Sequence, residues 1–197
     1  MKRICVFCGS GLGSDPLYAN MAVQLGKTLV NNQIELVYGG GNVGLMGIIA
    51  DTVVKNGGRV IGVITEYLLE KEVAYTALSD LRIVETMHQR KEMMASLSDG
   101  FIAMPGGFGT MDEMFEAMTW SQLNIHRKPC GFLNVKGYYD QLMAFIDHMV
   151  SNGFVHEDHK RLIQKDDDPE RLIGKLVSYT HNISEKDKWA KKLAVSN

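Results

Sequence analysis

Apolar runs of strand length alternate along this chain with amphipathic segments of helix length, and three of the runs end in clustered glycines. Residues 3–8 lead into Gly9-Ser10-Gly11-Leu12-Gly13, residues 34–38 into Gly39-Gly40-Gly41, and residues 101–104 into Pro105-Gly106-Gly107-Phe108-Gly109. Further strands are expected at 59–64, 81–84, 129–133 and 162–163, with an irregular stretch at 66–80. Helices are expected from Pro16 to about 31, to about 56 after the second glycine cluster, and over 87–98. Others follow the strands at 101 and 129, and a last one starts at Asp168-Pro169 and runs to about 179. This order predicts a doubly wound α/β fold, a mostly parallel sheet with helices on both faces. Residues 1–181 read as one domain and 182–197 as a polar tail.

Ligands of such sheets bind at the carboxyl ends of the strands. The three glycine loops fall there, and so does the start of the helix near Met87. Four segments distant in sequence are therefore expected to meet at one edge. Bulk composition says what that edge does not serve. A net charge of −2 offers no general attraction to nucleic acid. No apolar run approaches the roughly 18 residues of a membrane span. The run 4–7 is too short for a secretory leader. Three cysteines, an odd number, fit a reducing cytoplasm better than a disulfide scaffold. Cys5 and Cys8 have C-x-x-C spacing, but positions three apart in a strand face opposite sides, so both read as core residues.

The loop Pro105-Gly106-Gly107-Phe108-Gly109-Thr110 opens a helix, where free N–H groups and the positive dipole end favour an anion. Gly106, Gly107, Phe108, Gly109 and Thr110 are the candidate phosphate cradle. Glu113 has two readings. It completes a Thr110-x-x-Glu113 capping box, or it is a carboxylate for chemistry beside the anion. Arg90 and Lys91 fall near the start of a helix that Thr86-x-x-Gln89 would cap, where the dipole disfavours cations. They are either solvated surface charges or ligand-binding groups, with Arg90 able to fork onto a phosphate. Gly39, Gly41 and Gly44 match G-x-G-x-x-G, which reads as a dinucleotide loop with Glu66 as its ribose acid, as part of a compact nucleotide site, or as tight packing. Gly9, Ser10, Gly40 and Gly41 are the candidates for a second ligand loop. His156-Glu157-Asp158-His159 reads as a solvated turn rather than a metal site, and His88 as a site-lining or surface residue. Met118 and Trp120 read as core or subunit interface, and Asp166-Asp167-Asp168 as a helix-start acid cluster.

Together, Gly39-Gly40-Gly41-x-x-Gly44-Leu45-Met46-Gly47, Met87-His88-Gln89-Arg90-Lys91 and Pro105-Gly106-Gly107-x-Gly109-Thr110-x-x-Glu113 resemble the signatures of one family. It is the Lonely-guy family of cytokinin riboside 5′-monophosphate phosphoribohydrolases, long labelled putative lysine decarboxylases. The openings Val6-Phe7-Cys8-Gly9-Ser10 and Thr119-Trp120-x-Gln122-Leu123 fit as well, and the resemblance spans about residues 3 to 180. It implies a Rossmann-like fold, a homodimer, and cleavage of a nucleoside 5′-monophosphate to free base and ribose 5-phosphate. It implies Arg90 and Glu113 as the catalytic pair and residues 106–110 around the phosphate, with Lys91, Thr119 and Glu72 as further substrate contacts. Asn124 stands where the family pattern has a glycine. Neither a metal nor a cofactor is implied. The competing readings are a nucleotide or cofactor carrier without turnover, a pyridoxal-dependent decarboxylase, and an NAD-dependent enzyme.

Overall fold

The computed structural model describes residues 1–71, 74–75 and 78–181. The expected tail and Glu72 therefore lie outside the described residues. Seven strands form one sheet: β1 (Arg3–Phe7), β2 (Glu35–Tyr38), β3 (Val60–Thr65), β4 (Leu81–Val84), β5 (Gly100–Ala103), β6 (Cys130–Leu133) and β7 (Ile163–Asp166). Their order is β4-β3-β2-β1-β5-β6-β7. Every pairing among them is parallel. The helices are α1 (Pro16–Asn31), α2 (Gly44–Lys55), α3 (Glu66–Lys71), α4 (Met87–Leu97), α5 (Phe108–Gln122), α6 (Asp140–Ser151), α7 (Glu157–Lys160) and α8 (Pro169–Val177). A 3₁₀ turn at Val135–Gly137 links β6 to α6. The segment after β3, expected to be irregular, opens with the short α3.

Because side chains alternate along a strand, the sheet has two apolar faces and needs a helical layer on each. On one face Ile4, Val6 and Cys8 pack with Leu25 and Leu29 of α1, Ile49 and Val53 of α2, and Leu172 and Leu176 of α8. On the other, Cys5 and Phe7 pack with Met94 of α4, Met114 and Ala117 of α5, and Tyr139. Met118 and Trp120 are partly buried against this second core. Cys5 and Cys8 thus sit in different cores, and both thiols are free.

The strand order reverses direction between β1 and β5, which is the switch point of the sheet. The loop after β1 leads to the layer holding α1, and the loop after β5 leads to the layer holding α5. A crevice opens where they diverge.

Local chemistry fixes the element ends. Asp15 caps α1 by accepting from the Leu17 N–H at 2.9 Å, with Pro16 at the first helical position. Asn124 ends the turn after α5 with φ 57°, a left-handed conformation that suits asparagine as well as the family's glycine. Its side-chain oxygen lies 3.0 Å from His181 Nε2.

The expected acid cluster divides its work. Asp168 caps α8 through the Arg171 N–H at 2.9 Å. Asp166, in β7, accepts from Arg171 Nε at 2.9 Å and the Asp168 N–H at 3.0 Å, and pairs with Lys175 Nζ at 2.8 Å. Burial alone would raise the Asp166 carboxyl, but Lys175, Arg171 and the Asp168 N–H outweigh it and hold it far below the ordinary range. A carboxyl depressed by folding stabilises the fold above its unfolded pKa, and the contribution fades as pH falls through the folded value. Asp166→Asn should therefore be less stable than wild type at neutral pH in urea unfolding. The gap should shrink once pH drops below about 4.

Candidate active site

At the switch point the loops after β1 and β5 are stitched together. The Gly9 N–H donates to Pro105 O at 3.1 Å, and Tyr138 Oη donates to Gly106 O at 2.7 Å. The Leu45 N–H donates to Gly9 O at 3.1 Å, which ties in the start of α2. This approach demands a glycine at 106, since a Cβ there would lie 2.8 Å from the Gly9 nitrogen and overlap Thr110 Oγ1. Beside the junction is a cavity of about 200 Å³, lined by Cys8, Gly9, Ser10, Met46, Arg90, Glu113 and residues 107–110.

α5 starts at Phe108 with Gly107 as its N-cap, and no side chain caps it. Its first-turn N–H groups thus meet the cavity without a competing acid, as an anion site requires. Cβ positions at Gly107 and Gly109 have nothing within 4 Å, so both glycines leave the cradle open. The capping-box reading of Thr110 and Glu113 fails here. Glycine serves as a cap and lets the helix begin before the threonine, so Thr110 is the third helical residue and Glu113 lies deeper in the helix. The Glu113 side chain, only 13% exposed, faces Arg90 instead, with Oε1 3.4 Å from Nη1.

Arg90 sits on α4, whose start is held by the expected capping box. Thr86 Oγ1 accepts from the Gln89 N–H, and Gln89 Oε1 accepts from the Thr86 N–H. The reading of Arg90 as a solvated charge is overturned, since it is 6% exposed and turns inward across the strand ends. Nε donates to Val63 O at 2.9 Å and Nη2 to Gly39 O at 3.0 Å. A separation of 3.4 Å from Glu113 exceeds the roughly 2.7–2.9 Å of a tight charged hydrogen bond. The pair faces the cavity without being locked shut, as expected of a site that tightens on its ligand.

The other candidates divide. Gly9 and Ser10 line the cavity, but Gly40 and Gly41 do not. Gly40, at φ 79°, packs under Ile64 and Leu81, and Gly41 makes a bridge to Ala74. Those two glycines serve packing, so of the second ligand loop only Gly9 and Ser10 are at the cavity. Glu66 is exposed at the start of α3 and outside the cavity lining. Lys91 is not part of this cavity's lining, and its Nζ lies 3.1 Å from Glu116 and 3.3 Å from Asp112. Burial works against its charge, but these two carboxylates outweigh it and hold the ammonium above its usual range. Thr119 is exposed and donates to Phe115 O at 2.7 Å, away from the cavity. His88 is also exposed and lines a separate groove with Glu92, Trp120 and His126.

His156 caps α7, and His159 is buried, so this stretch is a short helix rather than a solvated turn. Among the described residues no three His, Cys, Asp or Glu side chains are grouped to hold a metal.

Sequence reasoning missed Met46 and the cavity-facing role of Cys8. Burial, reinforced by the charge of Glu113, pushes the Cys8 thiol well up, so it lines the wall as a neutral group rather than a nucleophile.

The all-parallel order and the crevice at its switch point place the protein among the Rossmann-like α/β proteins. Solved structures agree on the fold. The molybdenum cofactor carrier protein of Chlamydomonas reinhardtii superposes with a TM-score of 0.68 at 20% identity, covering 90% of this chain and 99% of that one. The molybdenum cofactor binding protein of Rippkaea orientalis gives 0.67 at 23%, covering 90% and 97%. The chain belongs to the family described as possible lysine decarboxylase, whose model matches residues 46–176. It is 47% identical over 93% of its length, and 85% of the relative's, to a cytokinin riboside 5′-monophosphate phosphoribohydrolase of Arabidopsis thaliana. A second Arabidopsis protein of the same description is 45% identical, over 95% of this chain and 90% of its own.

Because the α4 cap sets where Arg90 begins, Thr86→Ala should cost about 1 kcal/mol in urea unfolding.

Proposed function

We propose that the protein hydrolyses the N-glycosidic bond of a nucleoside 5′-monophosphate, a cytokinin riboside 5′-monophosphate or AMP, to free base and ribose 5-phosphate. The observation that carries this is the Arg90–Glu113 pair, a buried guanidinium facing a half-buried carboxylate beside an uncapped helix start that suits a phosphate. Relatives at 45% and 47% identity bear the name of this activity.

In this reading residues 107–110 hold the phosphate, and that remote anchor places the ribose over Glu113. Water oxygen bonds to C1′ as the C1′–N bond breaks, and its electron pair leaves with the base. The Glu113 carboxylate orients the water and stabilises the cationic ribose of an oxocarbenium-like transition state. Arg90 orients the substrate and assists the departing base, which ends by carrying a proton from water.

The pyridoxal-dependent decarboxylase suggested by the family description has less support. That chemistry needs a lysine for the Schiff base. None of the described residues lining the cavity is lysine, and Lys91 is committed to Glu116 and Asp112. The carrier reading draws on fold likeness alone, and a fold does not fix a function. It leaves the Arg90–Glu113 pair without a task.

We also propose a homodimer in the cytoplasm. Phe108, at the cavity rim, is 97% exposed, an apolar surface a second copy would cover. Three free, buried cysteines suit a reducing compartment. Lys91, Thr119 and Glu72 remain proposed substrate contacts, to be tested by substitution.

Chromatography of reactions with AMP and an N6-prenylated AMP should show base and ribose 5-phosphate, with no release from the matching nucleosides. Stoichiometric binding without release would instead establish the carrier. Glu113→Gln keeps hydrogen bonding but loses the anion, and should lower kcat by about 10²–10⁴-fold. Normal turnover by that variant would rule the mechanism out.

A further inference from the structure

Gly39 is a glycine for an unusual reason. Neighbouring Gly40 (φ 79°) and Gly44 (φ 56°) have left-handed backbones that disfavour a side chain. Gly39 is not among the positive-φ residues, so its backbone would accept alanine. What it lacks is space. A Cβ at this position would overlap Arg90 Nη2, lie 3.3 Å from Arg90 Cζ, and sit 3.6 Å from Met46 Sδ. The nearest obstacle is therefore the guanidinium itself, the far end of a flexible side chain. The same residue supplies the carbonyl that Nη2 donates to at 3.0 Å, while Val63 O takes Nε at 2.9 Å.

These facts belong together. A planar guanidinium presents its donors in a rigid fork, and two backbone carbonyls, one just past β2 and one within β3, set both its position and its tilt. Nη1 is thereby left for Glu113 Oε1, with the Met87 thioether as its other neighbour. We propose that Gly39 is a positioning residue for the reaction: the absence of its side chain is the seat in which the Arg90 guanidinium is held against Glu113. Any side chain there moves Nη2 off its carbonyl and swings Nη1 away from the carboxylate. The α4 backbone and the phosphate cradle of α5 are untouched, since neither is among the three nearest neighbours of that Cβ.

The inference rests on the reading of Arg90 as a residue of the reaction, and the experiment separates the two. Wild type, Gly39→Ala, Arg90→Ala and the double variant are compared for base release from the nucleotide and for urea unfolding. Gly39→Ala should lose on the order of 10²-fold in kcat, as expected for a misplaced reacting group, with KM nearly unchanged. Arg90→Ala should lose at least as much, and the double variant no more than Arg90→Ala alone. Gly39→Ala should be destabilising only where Arg90 is present. Losses that multiply in the double variant would overturn the proposal. So would full activity in Gly39→Ala beside an inactive Arg90→Ala, or equal destabilisation in both backgrounds. Full activity in Arg90→Ala would instead overturn the catalytic reading of Arg90, and the unfolding comparison would then decide the seat on its own.

Discussion

A guanidinium taken out of water must recover its hydrogen bonds where it is buried, or the burial costs several kcal/mol. Arg90 recovers them from the sheet. Strand carbonyls are normally spent on the next strand, but at the carboxyl edge the ladder runs out and acceptors become available. Gly39 lies one residue beyond β2, and its carbonyl is spent on Arg90. Val63 adds a second acceptor from β3. Both are neutral, so they orient the cation without cancelling its charge. A tight carboxylate pair would have satisfied Arg90 equally well and left less field for a ligand. Glu113 Oε1 lies 3.4 Å from Nη1, and both side chains line the cavity.

This arrangement depends on the sheet being parallel and wound in both directions. A single winding would put all connections on one face, and the loops after β1 and β5 would not diverge. Reversal between those strands opens the crevice, and the Gly9–Pro105 hydrogen bond sets its floor. α4 and α5 then approach from the same layer, one carrying the cation and the other the carboxylate. Lys91 on α4 pairs with Glu116 and Asp112 on α5, which links the two helices.

Much of this was legible from local pattern. The strands and most helices follow from period and from punctuation such as Asp15-Pro16 and Asp168-Pro169, because those caps act within a few residues. Opposite facing of Cys5 and Cys8 follows from strand period alone. The α4 capping box was readable because Thr86 is a true first cap. The same pattern misled at Thr110, where preceding glycines let the helix start three residues sooner, with Gly107 as its cap. The G-x-G-x-x-G motif misled more deeply. Its spacing reports glycines but not what crowds them, and here a Cβ at Gly39 would meet Arg90 and one at Gly44 would meet Ser10, both distant in sequence. The inward turn of Arg90 was likewise invisible, because its acceptors lie 51 and 27 residues away.

The same considerations bear on why one fold can serve carriers and hydrolases. An open helix start flanked by glycines binds an anion whether or not anything happens to it. Such a cradle binds substrate and transition state nearly alike, and uniform binding does not raise a rate. Rate requires groups whose interaction grows as charge develops on the sugar. On the proposed reading Glu113 is such a group, a side chain of low exposure on the helix that the cradle opens. On the same reading Arg90 acts from the other side, held by the Gly39 and Val63 carbonyls. On the proposed reading the cradle would select phosphorylated ligands as a class, and the Arg90–Glu113 pair beside it would separate carriage from cleavage.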